Sequence, residues 1–328
     1  MWATAGATHT VLLAAETGVA EVMVTIDAAW IMTSEIEVQR FKDEELAGCD
    51  GYQLAVYPWA DAIALEKFVQ TVTNGGNVIS DRPTQAESAL PSSLIEQKRS
   101  LLASEVDRYR QVGRLASEAM TEVLMQATPT WTEQQLAGAG AAALWKRGLH
   151  PALTLAAGAR RLPLYRHPVP TSDAIGSQAM LVFCARGAGL YANLTRFVCF
   201  EPPDFALHRQ VAEIEAVALN QSQAGMPLSK VYDAIAQAYL QQGYPDAMRQ
   251  HHQGGTTGYL AREVVATPSS DDLLTINRAV AWNPSLPGAK IEDTFVLLSE
   301  GRLENLTADP QWPTTEIEGR QRPVVLER

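Results

Sequence analysis

At 328 residues the chain exceeds what one hydrophobic core usually serves, so two domains are expected. Its make-up, 46% hydrophobic and 19% charged with 22 Gly and 18 Pro, is that of a soluble globular protein. The net charge of −11, with basic residues only in short pairs such as Lys98-Arg99 and Arg160-Arg161, excludes a general nucleic-acid or anionic-membrane surface, because phosphate binding needs clustered Lys and Arg.

Three cysteines, Cys49, Cys184 and Cys199, show neither metal spacing nor an even disulfide set, which implies a reducing, cytoplasmic setting. The apolar N-terminus has no Lys or Arg before Arg40 and is interrupted by Glu16 and Glu21, so no signal peptide is expected. No run approaches the roughly 18 apolar residues of a membrane helix.

In chain order, residues 10–33 read as strands: VLLAA, a turn at Thr17-Gly18, VAEVMVTI, a break near Asp27, then AAWIMT. A helical pattern takes over at residues 36–46, followed by short apolar runs at 52–57 and 77–80, a small α/β unit ending near Arg82-Pro83. From residue 92 a long amphipathic helical stretch begins, with a break predicted near Ala103-Ser104. Thr132 and Gln135 form a capping box for a second helix that reaches Trp145 and stops at Gly148. Strands are predicted at 179–183 and 194–200, helices at 206–223 and 228–241, and strands again at 280–282 and 293–298. The Pro-rich tail after Pro310 reads as an irregular extension. Helices, strands, helices, strands in this order indicate an α/β (α+β) chain with an antiparallel sheet.

Chemistry concentrates in an ordered series of segments. The first is Arg166-His167-Pro168-Val169-Pro170-Thr171, and the second is Gly189-Leu190-Tyr191-Ala192-Asn193-Leu194-Thr195-Arg196. The third is His251-His252-Gln253-Gly254-Gly255-Thr256-Thr257-Gly258-Tyr259, with Arg262-Glu263 and Thr267-Pro268 behind it. The last is Ala281-Trp282-Asn283-Pro284, followed by Lys290-Ile291-Glu292-Asp293-Thr294.

Together these segments resemble the pita-bread superfamily of Xaa-Pro aminopeptidases, prolidases, methionine aminopeptidases and creatinase, and the resemblance covers nearly the whole chain. It implies a small creatinase-type N-terminal α/β domain at residues 1–91. A C-terminal pita-bread domain at 92–328 would then carry a curved antiparallel sheet flanked by helices. Residues near Trp2 join the small domain midway, as though its first strand were missing. A homodimer is expected from the same resemblance.

In active relatives, two Asp, one His and two Glu hold two divalent metals that activate a water. Carried over one by one, those positions fall here on Asn193, on Val182 or Cys184, on Gly255, on Asn283 and on Glu292. Only Glu292 retains the ligand type, and no Asp or Glu occurs from residue 174 to 193. A dinuclear metal site is therefore expected to be absent, with no metal or other cofactor taking its place.

The retained cleft residues remain open to several uses. His167 matches a cleft histidine of the family, and in creatinase, which needs no metal, a His in this region is the general acid/base. It is also readable as a remnant of a metal-binding ancestor. His251 and His252 line the cleft or make a substitute single-ion site with Glu292, although neighbouring strand residues should point to opposite faces. Arg262 is placed to clamp a substrate carboxylate, or to pair with Glu263 or Glu292. Asn193 and Asn283 could hydrogen-bond a ligand or each other, Gly255 permits a close backbone approach, and Cys184 is a candidate nucleophile or an inert packing residue. Function then divides between a metal-free binder of a small peptide or amino-acid-like ligand and a metal-independent hydrolase using His167 and Glu292.

Overall fold

The computed structural model describes every residue except 14, 16, 47–49 and 62, together with the side chain of residue 300. Glu16 and Cys49 thus lie outside the described residues. The chain divides into two compact units, Met1–Lys98 and Arg99–Arg328.

In the first unit β-branched and apolar residues build a three-stranded sheet. Ala20–Val24 pairs antiparallel with Ala29–Ser34 around a turn closed by Thr25 N–H donating to the Ala28 carbonyl at 2.8 Å. Tyr52–Tyr57 then adds in parallel to Ala29–Ser34. No strand forms at residues 11–13, where Val11 and Leu12 are exposed, so the first predicted strand is not borne out among the described residues. An apolar run with no partner edge gains nothing from extending. Helix forms within residues 36–46, as Val38–Arg40 and Phe41–Glu45, and a further helix, Ala64–Thr73, lies between the two apolar runs.

The second unit opens where Ser100–Leu102 separates Ser92–Arg99 from the helix Ala103–Leu124, close to the expected break. Val106, Tyr109, Val112, Ala116, Met120 and Val123 repeat at helical spacing and are all buried. In the next helix, Glu133–Lys146, both capping-box bonds between Thr132 and Gln135 form, at 2.8 and 3.1 Å.

These helices pack on one face of a sheet ordered Leu326–Glu327, Leu190–Cys199, Gln178–Gly187 and His150–Gly158. The two central strands form a long hairpin whose turn uses positive φ at Ala188 and Gly189. A second core lies between the helices Phe205–Gln221 and Leu228–Gln241 and a five-stranded sheet. That sheet runs Val264–Val265, Gly254–Thr257, Ala279–Trp282, Asp293–Leu297 and Leu303–Asn305, antiparallel throughout. Trp282 is wholly buried there and donates its indole N–H to Ser222 Oγ at 2.9 Å. Each fully buried Leu, Ile or Phe of these cores contributes roughly 1.5–3 kcal/mol.

The tail after Pro310 corrects the sequence reading. It forms a hairpin, Thr314–Ile317 with Arg320–Pro323, and then adds Leu326–Glu327 in parallel to Leu190–Cys199. Arg322 makes the tail part of the core. Its guanidinium forks onto Glu215 with two bonds of 2.7 Å and lies 2.9 Å from Asp293 Oδ2, and all three residues are buried. Asp293 also accepts from Arg196 at 2.7 Å and from Thr307 Oγ1 at 2.6 Å, so no buried charge of this chain of residues stands alone. No described helix is long and apolar enough to cross a membrane.

Candidate functional site

The site grows out of the place where the two sheets meet. Thr195, on the hairpin, bridges Glu292, and its N–H donates to the Glu292 carbonyl at 3.0 Å. Hairpin register sets Cys184 directly opposite Asn193 and Val182 opposite Thr195. Of the two candidates for the missing Asp, Cys184 is thus the residue beside Asn193. In the five-stranded sheet Trp282 pairs with Asp293, which makes Asn283 and Glu292 the next positions in register. Asn193, Cys184, Asn283 and Glu292 are in this way gathered from segments far apart in sequence.

Asn193 is fully buried and anchored on all but one side. Its N–H donates to Thr294 Oγ1 at 2.8 Å, its carbonyl accepts from the same hydroxyl at 3.0 Å, and its side-chain amide donates to Thr257 Oγ1 at 3.0 Å. The Oδ1 atom has no protein donor. Asn283 is also buried, its N–H donating to the Gln253 carbonyl at 3.1 Å, and its Oδ1 likewise lacks a donor. The two amides therefore do not satisfy each other. Each orphaned acceptor is a cost of about 1–3 kcal/mol that a donor group could relieve.

Glu292 is the one carboxylate at the ligand positions, and it is spoken for. Arg262 donates to its Oε1, while Lys290 Nζ lies 3.3 Å and Thr195 Oγ1 3.2 Å from its Oε2. Burial alone would raise this carboxyl, but Lys290 and Arg262 outweigh it and hold the pKa below the ordinary value. Of the partners considered for Arg262, Glu292 is the one adopted. Glu263 instead accepts from the Leu260 N–H at 3.1 Å and sits 3.9 Å from Arg99. Sequence reasoning assigns Lys290 no role of its own. The signal was available, since residues two apart on an extended chain share a face.

Gly255 is aligned by the sequence resemblance with the family's metal-binding histidine. Its φ is +154°, and a Cβ built there would lie 2.0 Å from the Val264 carbonyl oxygen across the strand pair. The backbone itself closes this position to any side chain. Cys184 supplies no thiolate, because burial pushes its pKa up to about 11. One carboxylate already neutralised by two cations, two neutral amides, a protonated thiol and a glycine do not match the hard anionic set that two divalent ions take.

The histidines lie on the approach to the Gly-rich strand, but not within a strand. The short helix Ala247–Gln250 ends at His251, and the strand starts only at Gly254, so His251 and His252 belong to a connection rather than to a pleated strand. The alternation that should have separated them does not apply, and both rings reach His167. His251 Nε2 lies 3.0 Å from His167 Nε2, and the His251 and His252 rings stack with centroids 4.6 Å apart. One ligand-type nitrogen of each of the three lies within 4.8 Å of the others.

His251 is buried, whereas His167 and His252 are exposed. Desolvation, then the positive charge of Lys290, lowers the pKa of both His251 and His167, and desolvation followed by Arg262 brings His252 down to about 4. Sequence reasoning also missed what holds His167 in place. Buried Glu133 accepts from Arg161, from the Thr171 N–H at 2.9 Å and from Thr171 Oγ1 at 2.8 Å, pinning both ends of the loop that carries it.

Residues 107–298 match the family model of metallopeptidase family M24. The chain belongs to this family. Solved M24-like structures superpose over most of its length. An X-Pro aminopeptidase from Thermotoga maritima MSB8 aligns with a TM-score of 0.76 at 18% identity, covering 94% of this chain and 90% of that one. An Xaa-Pro dipeptidase from Bacillus anthracis aligns with a TM-score of 0.75 at 20% identity, covering 96% and 90%. The N-terminal domain of FACT complex subunit SPT16 from chickpea (Cicer arietinum) aligns with a TM-score of 0.65 at 11% identity, covering 88% and 83%. No curated protein matches the sequence. The α/β chain therefore has the pita-bread fold of the M24 prolidases, as the ordered segments implied.

Proposed function

We propose that this M24 member binds a small peptide or amino-acid-like ligand at the Asn193–Asn283–Glu292 site without the dinuclear-metal hydrolysis of its family. The observation that supports this reading most directly is the pair of buried Oδ1 atoms of Asn193 and Asn283, which have no protein donor. A ligand ammonium or amide N–H supplies what they lack, and the Nε of Arg262, the one guanidinium nitrogen without a hydrogen-bond partner, is left for a ligand carboxylate while the rest of the group holds Glu292 and the Ala261 carbonyl. Arg262 and Lys290 provide Glu292 with the positive charge that a metal provides in a metallopeptidase. The fold itself serves a subunit of the FACT complex as well as peptidases, so it does not dictate hydrolysis.

The test has two arms. Calorimetry with a dipeptide panel, run in chelator, should give saturable binding that weakens at least tenfold in Asn193→Ala or Asn283→Ala. Incubation with Mn²⁺ or Co²⁺ should give no Xaa-Pro turnover. Metal-dependent turnover that chelator abolishes would sink the reading.

A second reading, metal-independent hydrolysis of the creatinase type with His167 as general acid/base, is favoured by the His167–His251 contact of 3.0 Å, which gives the exposed ring a buried proton partner. Turnover that survives chelator and disappears in His167→Ala, with folding retained, would select it over binding alone.

A further inference from the structure

The three imidazoles of His167, His251 and His252 are not among the five positions that the resemblance aligns with the family's metal ligands, although Lys290 and Arg262 act on them electrostatically. From their convergence we infer a separate single-ion site, one that takes a borderline divalent cation of the Zn²⁺ class on three histidine nitrogens.

The geometry supplies the argument. A tetrahedral ion with metal–nitrogen bonds of about 2.0–2.1 Å holds its ligand atoms about 3.3 Å apart. His167 and His251 already present Nε2 atoms 3.0 Å from one another, and the third nitrogen lies within 4.8 Å of both. Two of the three rings are exposed, so rotations of roughly 1 Å at the ring tips suffice to close the triangle without disturbing the core. The buried ring of His251 fixes the base of the triangle.

The supporting structure suits an ion as well. Glu133 ties down the loop bearing His167, and Gln253 anchors the segment bearing the other two rings. The Gln253 amide donates to the His251 carbonyl at 2.6 Å while its oxygen accepts from Tyr239 at 2.9 Å. Three neutral nitrogen donors select Zn²⁺, Co²⁺, Ni²⁺ or Cu²⁺ over Mg²⁺ and Ca²⁺, which take oxygen. Three ligands also leave a position open on the exposed side, as in catalytic rather than structural zinc sites. Arg262 and Lys290 oppose a cation, but both turn to Glu292, and the exposed rings set the ion at the solvent edge, where that repulsion is screened.

The experiment uses untagged full-length protein stripped with chelator and titrated with Zn²⁺ by calorimetry and with Co²⁺ by visible absorption. The expected result is one ion per chain and ligand-field bands of a tetrahedral nitrogen-rich site. His167→Ala and His252→Ala, both at exposed positions, should each weaken binding by roughly 100-fold or more, beyond what loss of a supporting contact costs. His150→Ala, away from the cluster, should leave it unchanged. Absence of stoichiometric binding would overturn the inference, and so would binding that both exposed-site variants retain. Peptide binding measured in chelator is a separate readout, so either idea can fail while the other stands.

Discussion

Arg262 closes on Glu292, making the one carboxylate left at the family's ligand positions the partner of a fixed cation. Lys290 reaches the same carboxylate at 3.3 Å. Arg262→Ala therefore leaves a buried carboxylate with a single counter-charge, and should lower stability at pH 7 by about 1–3 kcal/mol, less than the full loss of a wholly buried pair because Arg262 is partly exposed. Glu292 has a lowered folded pKa, so its contribution is complete above the unfolded value near 4.5 and is lost as pH falls through the folded pKa. The variant should accordingly unfold at a higher pH than the parent in an acid titration followed by circular dichroism.

The histidine cluster gives a pH dependence of its own in chelator. His252 is lowered from 6.5 to about 4, so between those values the unfolded chain binds a proton that the folded chain does not. Stability should rise with pH across that window and level off above it. His252→Gln should flatten the rise in thermal midpoints measured from pH 4 to 7.5. An unchanged slope would contradict the assignment.

Gly255 cannot be made a metal ligand by substitution alone. A Cβ there meets the Val264 carbonyl at 2.0 Å, so Gly255→Ala should already cost roughly 2 kcal/mol or more, and Gly255→His more still. Adding Asn193→Asp and Asn283→Glu should not produce Mn²⁺-dependent peptidase activity. Chemical denaturation and an Xaa-Pro assay check both halves.

Arg322 holds Glu215 and Asp293 together inside the second unit. Arg322→Ala leaves two buried carboxylates short of their cation and should cost about 3–5 kcal/mol, measured by urea unfolding. At the surface, Thr132→Ala removes one capping bond and should cost only about 1 kcal/mol.

Much of the scaffold was legible in the sequence where local chemistry decides it. The capping box at Thr132 and Gln135 fixed a helix start, and 3.6-residue periodicity marked the helix Leu228–Gln241 to its bounds. The strand His150–Gly158 was not read, because Ala and Gly fill its buried end and no alternation marks it. The tail reads as irregular because its prolines mask a short local hairpin, and its last strand pairs with a partner far away in sequence. At the site, the residue types at the five ligand positions were legible one by one. The choice between Val182 and Cys184 was not, since strand register decides it.

The sequence by itself determined the family and the residue types at the five positions that the resemblance aligns with metal ligands, because ordered segments and residue types are properties of the chain. It also named His167, His251, His252, Arg262 and Glu292 as the groups to watch. Only the tertiary structure decided their partners. It turned Arg262 to Glu292 rather than Glu263, added Lys290, and left two amide oxygens without donors. It also drew three imidazoles together where an extended strand would have split them. Such pairings depend on register, on turn geometry and on which backbone groups are already satisfied, and these are set between segments far apart in the chain.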